Sequence, residues 1–178
     1  GGSCFPKDLL AFERLTSRLG YDFPLLREVA RINVEAVDAA FQKVEEALWN
    51  LEGKRVALLG LAFKPGTDDV RFAPALGLAE RLLAAGAVVV GYDPQAGPNA
   101  KAEVPALELA PDPYAALEGA HAAVVCTEWE EVTGLDLPKV RDAMALPVVV
   151  DGRNVFEPAE MAAEGFTYLP TGRRPVRP

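Results

Sequence analysis

The sequence predicts an α/β protein in which a helical segment precedes a doubly wound parallel sheet. From residue 53 onward, short apolar runs alternate with segments of helical periodicity, which is the pattern of parallel strands joined by crossover helices. Before residue 53 the apolar residues recur only at helical spacing. We therefore divide the chain into a helical segment, residues 1–52, and a sheet domain, residues 53–178.

Two helices are predicted in the helical segment. Pro6 is typical of a first helical turn, and the leucines that follow continue this helix to about Gly20, so Cys4 lies just before or at its N-terminus. A second helix is predicted over residues 24–50, because no Gly or Pro interrupts its pattern after Pro24. It would be roughly 40 Å long at about 1.5 Å per residue. Its apolar stripe is too broad for the first helix to cover, which favours a dimerising spine joining two domains over a core helix of one domain.

The sheet domain is predicted to contain six strands and the helices between them. Strands are expected over residues 55–60, 88–92, 104–107 (a weak pattern), 122–126, 147–150 and 166–169, and helices over residues 73–85, 113–118, 137–144 and 158–164. This alternation is that of a Rossmann-like domain with right-handed crossovers. Residues 171–178, rich in Pro and Arg, are expected to be a loosely held terminus.

Composition narrows the classes of function. The net charge of -8 argues against a nucleic-acid-binding protein, and a single histidine makes a metal site improbable. The two cysteines, Cys4 and Cys126, lie far apart, which gives no disulfide framework and indicates a reducing compartment. No apolar run is long enough to span a membrane and no signal-like segment precedes the first motif, so we expect a cytoplasmic location. Because residue 1 is not Met and begins a motif, we expect the chain to be a piece of a longer protein.

Unusual residues follow the predicted strands, at the sheet edge where ligands bind in this class of fold. The loop after the first strand keeps only Gly60 and Gly66 of a G-x-G-x-x-G pattern, which is poor support for a dinucleotide. Lys64 in that loop is suited to a phosphate or a sugar hydroxyl, and Arg153 to bidentate contact with the same ligand. Asp93 after the second strand either holds a ribose or caps a loop.

Two further residues follow the fourth strand. Glu128 and Trp129 either bind a ligand or pack the loop, and packing is favoured for Trp129.

The first eight residues, GGSCFPKD, carry the most reactive group of the chain. A thiol at a helix N-terminus beside Lys7 has two causes for a lowered pKa. Asp8 in the first turn either interacts with the helix dipole or positions a water or a lysine beside Cys4. The alternative is that Cys4 is a buried cysteine without a chemical role.

These motifs resemble those of the UDP-glucose 6-dehydrogenases, within the wider family of nucleotide-sugar dehydrogenases. GGSCFPKD is similar to the active-site signature of that family. Three later blocks are similar as well: F-K-P-G-T-D-D-V-R from residue 63, T-E-W from residue 127 and D-G-R-N from residue 151. The resemblance covers essentially the whole chain and implies a homodimer formed through the helix over residues 24–50.

The resemblance also implies roles for individual residues. It makes Cys4 the nucleophile and Asp8 the residue that organises the hydrolytic water. It assigns contacts with the UDP-sugar substrate to Gly1, Phe5, Phe63, Lys64 and Arg153, and contacts with NAD to Lys7 and Arg71. NAD itself would be bound mainly by an upstream domain. Asp68 and Asp69 resemble a metal pair but are interpreted as loop residues, so no metal is expected.

The implied reaction oxidises a sugar C6 alcohol to a carboxylate in two hydride transfers. Cys4 would hold a thiohemiacetal and then a thioester, which water hydrolyses. Two alternatives remain open: a non-catalytic module that binds a nucleotide sugar and dimerises, and a sibling enzyme acting on GDP-mannose or UDP-N-acetylmannosamine. A cysteine-dependent hydrolase would need a basic partner for Cys4, for which His121 at the start of a buried strand is poorly placed.

Overall fold

The computed structural model describes residues 4–177, with Cys4 described by its backbone only. Its first two elements are α1 (Cys4–Arg18) and α2 (Pro24–Leu48), as the periodicity predicts. The turn between them is packed by aromatic rings: Phe23 lies edge-on to Phe12, with ring centroids 6.2 Å apart, and to Tyr21, with centroids 5.6 Å apart. This cluster fixes the first helix against the second.

Within the described residues the sheet has six strands in the order β3-β2-β1-β4-β5-β6, and every neighbouring pair is parallel. The strands are β1 (Arg55–Leu59), β2 (Val88–Tyr92), β3 (Glu108–Leu109), β4 (Ala122–Val125), β5 (Val148–Asp151) and β6 (Thr167–Pro170). The helices after β1 are α3 (Pro74–Ala84), α4 (Gly97–Glu103), α5 (Pro113–Leu117), α6 (Glu130–Thr133), α7 (Leu137–Ala143) and α8 (Pro158–Ala163). The predicted doubly wound parallel sheet is confirmed, and its strand order reverses between β1 and β4, where such folds bind ligands.

The core consists of the apolar strand residues and the helix faces packed on both sides of the sheet. Val56, Ala57 and Leu58 of β1 have no exposed surface, which explains why this strand is apolar at successive positions. The end of α2 joins this core through Val44, which is 0% exposed, and Leu48. Val34, nearer the N-terminus of the same helix, is 58% exposed. Only the C-terminal part of α2 is therefore covered by the sheet domain.

Three local expectations differ from the structure. The third strand lies at Glu108–Leu109 instead of residues 104–107, because Val104 ends α4 and Pro105 cannot donate to a strand ladder. The helices α4 and α6 were not predicted. The first is rich in small and polar residues and the second spans a single turn, so neither has the apolar periodicity that a pattern search detects.

The chain after β6 is also more ordered than expected, so the prediction of a loosely held terminus is wrong for its described part. Val176 forms an antiparallel bridge with Tyr168: the Tyr168 N–H donates to the Val176 carbonyl at 2.9 Å, and the Val176 N–H donates back at 2.8 Å. The chain turns back at Gly172, whose φ is +70°.

Among residues 4–177, none of the helices combines the length and the apolar character that a membrane crossing requires.

Candidate functional site

The candidate site lies at the carboxyl edge of the sheet, around the reversal between β1 and β4. The loops after these two strands approach unusually closely at Gly60, whose φ is +86°. A Cβ atom there would lie 2.4 Å from Cβ of Thr127, so only glycine fits. Thr127 is fully buried, and its hydroxyl donates to the Ala62 carbonyl. The two loops are thus held together before any ligand binds.

Asp93, directly after β2, organises the same edge. One carboxylate oxygen accepts from the backbone N–H of Leu61 at 2.7 Å, from that of Ala62 at 2.9 Å and from the Trp129 indole at 3.0 Å. The other oxygen accepts from the backbone N–H groups of Gln95 and Ala96, at 2.9 and 2.7 Å. Asp93 therefore caps its own turn and joins the loops after β1 and β4. Trp129, 7% exposed, packs inside this arrangement.

These contacts decide how well the edge fits NAD. A dinucleotide needs a glycine-rich turn after β1 and a carboxylate after β2 that is available to a ribose. Here Leu61, Ala62 and Phe63 follow Gly60, and the Asp93 carboxylate is already satisfied by five donors within the chain. The residues of this edge do not fit NAD.

Arg153 ties together the loops after β1, β4 and β5. Its Nε donates to the Cys126 carbonyl at 2.7 Å and its Nη2 to the Phe63 carbonyl at 3.0 Å. Nε also lies 3.2 Å from the Glu128 carboxylate. The sequence predicts a bidentate ligand partner, but two nitrogens of the fork are engaged within the chain. Among the contacts of residues 4–177, Nη1 has no partner, so its N–H groups are available to a ligand.

Phe63 and Lys64 lie beside this guanidinium. The Lys64 ammonium is 5.5 Å from the centroid of the Phe63 ring, within the range of a cation–π contact. Lys64 is exposed and Phe63 half-buried. The structure therefore brings Phe63, Lys64 and Arg153 together, with the Lys64 ammonium over the Phe63 ring and the Arg153 guanidinium on the Phe63 backbone carbonyl. Two cationic groups beside an aromatic ring suit an anionic ligand with a planar part.

The buried end of β5 supports Arg153 from below. Asp151 is 0% exposed, and one of its oxygens accepts from the backbone N–H groups of Arg153 at 2.8 Å and Asn154 at 2.7 Å. The other oxygen accepts from the N–H groups of Val155 and Phe156, at 2.9 and 3.2 Å, and from the Tyr168 hydroxyl at 2.8 Å. Burial, and then the hydrogen bond to Asp151, raise the pKa of Tyr168, which keeps the phenol protonated as a donor.

Arg71 forms a bidentate pair with Asp69 at the far end of the loop after β1. Its Nε and Nη2 donate to the two carboxylate oxygens at 2.9 and 2.8 Å. This pairing, together with a bond from the Arg71 backbone N–H, lowers the pKa of Asp69 to about 2. The Asp69 carbonyl accepts from the Phe63 N–H at 3.2 Å, so the pair is linked to the Phe63 cluster.

A cavity of about 830 Å³ separates the helical segment from this loop. Its lining includes Phe5 and Leu10 of α1 and also Arg71 and Phe72 of the loop. Phe72 is exposed and has a φ of 55°, which is unusual for a bulky side chain. Phe5 and Arg71, two of the predicted site residues, therefore line the same cavity.

The remaining predicted residues lie on or before α1. Lys7 and Asp8 are exposed, with the ammonium 3.7 Å from the carboxylate. The side chain of Cys4 and all of Gly1 lie outside the described residues, although α1 does begin at Cys4 as predicted.

Cys126 and His121, the second cysteine and the single histidine, lie where a structural role is expected. Burial raises the pKa of Cys126 to about 12, so its thiol is not a nucleophile at neutral pH. The Nδ1 atom of His121 accepts from the Arg55 N–H at 3.2 Å. This contact joins the starts of β1 and β4, away from the carboxyl edge.

Sequence reasoning did not predict the contacts of three residues that shape the site: Asp69, which it interpreted only as a loop residue, Asp151 and Thr171. An aspartate two residues before an arginine is a weak local signal for their pairing, and an aspartate directly before glycine is typical of a turn. Nothing in the sequence connects Thr171 with Asn154, seventeen residues away, because that contact depends on the position of β6.

Comparison with known proteins identifies relatives of the whole chain. Residues 57–158 match the UDP-binding domain of the UDP-glucose/GDP-mannose dehydrogenase family. A UDP-glucose 6-dehydrogenase of Pseudomonas aeruginosa is 45% identical over 97% of this chain, and the UDP-glucose 6-dehydrogenase TuaD of Bacillus subtilis is 41% identical over 99%. The chain covers 40% and 39% of these two proteins, so it spans about two fifths of the curated relatives' length.

Solved structures show the same arrangement. A UDP-glucose dehydrogenase from Pyrobaculum islandicum superposes with a TM-score of 0.83 at 39% identity, over 95% of this chain and 37% of that protein. An NDP-N-acetyl-D-galactosaminuronic acid dehydrogenase from Methanosarcina mazei superposes with a TM-score of 0.85 at 29% identity, over 98% and 38%.

Proposed function

This chain belongs to the UDP-glucose/GDP-mannose dehydrogenase family, and we propose that it forms the UDP-sugar-binding part of a UDP-glucose 6-dehydrogenase. One observation carries the proposal: the region matching the family's UDP-binding domain, residues 57–158, contains Phe63, Lys64 and Arg153, which lie together at the carboxyl edge of the sheet. The chain spans only part of its relatives, so the oxidation of UDP-glucose to UDP-glucuronate is proposed for the complete enzyme.

The substrate would be held by its charge and its planar base. The exposed Lys64 ammonium supplies a point charge to the diphosphate, and the remaining Nη1 of Arg153 donates from a fixed position. Phe63 offers a ring surface, already partly covered by Lys64. Because the loops are held by Asp93 and Arg153, little ordering is needed on binding, which favours affinity. Gly1 and Phe5 would complete the sugar end of the site.

The chemical step would belong to the start of α1. We assign the nucleophile to the Cys4 thiolate, stabilised by the N-terminus of α1, which begins at that residue. The sulfur adds to the aldehyde carbon of the oxidised sugar, and the carbonyl oxygen takes up a proton, which gives a thiohemiacetal. Loss of a second hydride to an acceptor held outside this chain would give the thioester. Water organised by Asp8 would then hydrolyse the thioester to the carboxylate and release the Cys4 thiol. Replacing Cys4 with Ser in the complete enzyme should abolish UDP-glucuronate formation while leaving UDP affinity unchanged.

NAD would be held by sequence outside this chain, since the carboxyl edge does not fit it. From this chain, Lys7 on α1 and Arg71 at the cavity would contribute positive charge towards it. Bound there, NAD would supply the hydride acceptor for the reaction. A second candidate function concerns the chain alone: a non-catalytic module that binds a nucleotide sugar and dimerises. The poor fit of the carboxyl edge to NAD favours it.

The partner of α2 would be the same helix in a second copy, over residues 24–50. Support comes from three large apolar residues exposed on its N-terminal part: Leu25, Ile32 and Val34. Light scattering should give the mass of a dimer for the unaltered chain and that of a monomer for Ile32→Glu. A monomer without substitution would contradict the dimer.

Calorimetric titration of the chain with UDP, UDP-glucose and NAD tests the central proposal. We expect UDP and UDP-glucose to bind and NAD not to bind. Arg153→Lys keeps the charge but loses the planar fork, and Lys64→Gln loses the charge. Each should weaken UDP binding about tenfold or more, from the typical strength of charge-assisted hydrogen bonds.

The control is Lys54→Gln, the same change at the amino edge, one residue before β1. It should leave UDP affinity unchanged. Tight binding of NAD by the chain would contradict the proposed site. So would an equal UDP affinity for Arg153→Lys, Lys64→Gln and the control Lys54→Gln.

A further inference from the structure

We propose that the segment after β6 is part of the binding apparatus, because Thr171 and Asn154 together position Arg153. This inference rests on the proposed function, in which Arg153 contacts the diphosphate. Asn154 and Thr171 do not touch the ligand in this scheme. They act as positioning residues, through the turn formed by residues 151–154, which we call the Arg153 turn.

Thr171 contacts the Arg153 turn through three hydrogen bonds. The Asn154 side-chain amide donates to the Thr171 carbonyl at 3.0 Å, and the Thr171 N–H donates to the Asn154 side-chain oxygen at 3.1 Å. The Thr171 hydroxyl donates to the Asp151 carbonyl at 3.1 Å. A reciprocal amide pair and a hydroxyl bond therefore span the residues on both sides of Arg153.

The segment that carries Thr171 is itself anchored on both sides. Before it, the Lys43 ammonium on α2 donates to the Pro170 carbonyl at 2.7 Å. After it, Val176 pairs with the backbone of Tyr168, whose hydroxyl donates to Asp151. Thr171 is consequently fixed relative to the sheet and can hold the Arg153 turn in place.

The Arg153 turn needs such support because its backbone is unusual. Asn154 has a φ of 57°, in the left-handed region that asparagine tolerates but does not prefer. Gly152 lies so close to β4 that an added Cβ would be 2.8 Å from the Val125 carbonyl. Arg153, between them, reaches the Cys126 and Phe63 carbonyls from this backbone conformation. Loosening Asn154 would therefore release the guanidinium from the loops after β1 and β4.

Three variants of the full 178-residue chain test this inference. Asn154→Gly removes the amide pair while keeping a residue that accepts a positive φ, so the turn is not strained by the change itself. Thr171→Val removes the hydroxyl at nearly constant shape, and Thr171→Ser restores it. The direct measurement is the NMR signal of the Arg153 Nε–H, which donates at 2.7 Å and should exchange slowly with water.

We expect slow exchange of the Arg153 Nε–H in the unaltered chain and in Thr171→Ser, and at least tenfold faster exchange in Asn154→Gly and Thr171→Val. The dissociation constant for UDP should rise about three- to tenfold in the same two variants, from the net strength of neutral hydrogen bonds. Thr167→Val, at the amino end of β6, is the matched control and should change neither quantity.

The two measurements separate this inference from the proposed function. Unchanged exchange of the Arg153 Nε–H in both Asn154→Gly and Thr171→Val would overturn the positioning role, whatever UDP does. If exchange accelerates but Arg153→Lys binds UDP as well as the unaltered chain, then the positioning stands and the proposed role of Arg153 in binding UDP is wrong. A Thr171→Ser variant that behaves like Thr171→Val would also overturn the role of the hydroxyl.

Discussion

Among the contacts described for residues 4–177, the Asp69 carboxylate is held by Arg71. Both of its oxygens accept from the Arg71 guanidinium, and one also accepts from the Arg71 backbone N–H at 3.0 Å. The contact fixes the direction in which Arg71 leaves the loop, towards the cavity it shares with Phe5. Since both side chains are close to solvent, the pair orients Arg71 more than it stabilises the fold.

This pair should be visible as a pH effect. Asp69 should titrate at about 2, below the ordinary value of 3.8, because Arg71 favours the ionised carboxylate. A lowered folded-state pKa means that the stabilising contribution is complete above about 3.8 and is lost as pH falls towards about 2. Carboxyl-carbon NMR should show this midpoint, and Arg71→Gln should raise it towards 3.8. The same midpoint in both proteins would contradict the pairing.

Residue roles were predictable from sequence only where residue type restricts the chemistry. The positions of Phe63, Lys64 and Arg153 at one sheet edge follow from the strand pattern, and the structure brings them together. The role of Asp93 could not be decided, because a carboxylate after β2 suits either a ribose or a backbone N–H. The choice depends on the path of the loop after β1, which brings the Leu61 backbone nitrogen to 2.7 Å from the Asp93 carboxylate.

The two ends of helix α2 lie in different environments. Its C-terminal part buries Val44 and Leu48 in the core, while its N-terminal part leaves Ile32 and Val34 exposed. The sheet domain therefore packs against the C-terminal part of α2, whereas the start of α2 is packed by α1 and the turn between them.

Truncating one valine in each part of α2 compares how much the two environments contribute to stability. Val44→Ala should lower the free energy of unfolding by about 2 kcal/mol, since two buried methyl groups are lost and a cavity remains. Val34→Ala, ten residues earlier on the same helix, should change the stability of the monomeric chain by less than about 0.5 kcal/mol. Urea denaturation at low protein concentration measures both. Equal losses would mean that the N-terminal part of α2 is also packed against the fold.

The elements were predictable where hydrophobic periodicity is strong. The long stripe of α2 and the apolar runs of β1, β2 and β4 were located to within a residue or two. The pairing of Val176 with Tyr168 was not, because a two-bond bridge depends on which strand lies at the sheet edge and leaves no periodic pattern.

At the scale of the molecule, one carboxylate joins the loops of three strands. Asp93 accepts from the loop after β1, from its own turn after β2 and from Trp129 after β4. The contacts at the carboxyl edge are therefore interdependent, and a change at Asp93 should reach all three loops.

Asp93→Asn should lower the free energy of unfolding by about 3 kcal/mol, because an amide nitrogen would face N–H donors and leave them unsatisfied. The emission of Trp129, read in a Trp49→Phe background, should shift as the indole loses its acceptor. The control Asp112→Asn alters a carboxylate that caps α5 through one bond, to Ala115 at 2.9 Å, and asparagine caps equally well. Chemical denaturation that gives equal losses for the two variants would contradict the central role of Asp93.

The bridge between Val176 and Tyr168 also protects an edge of the sheet against aggregation between copies of the chain. An open parallel sheet has two edges where a foreign strand could add. On one edge β3 has only two residues, too few to template a partner, and on the other the returning chain covers β6 at its middle. A chain ending at Pro170 would uncover that second edge, and its first defect would be aggregation in concentrated solution.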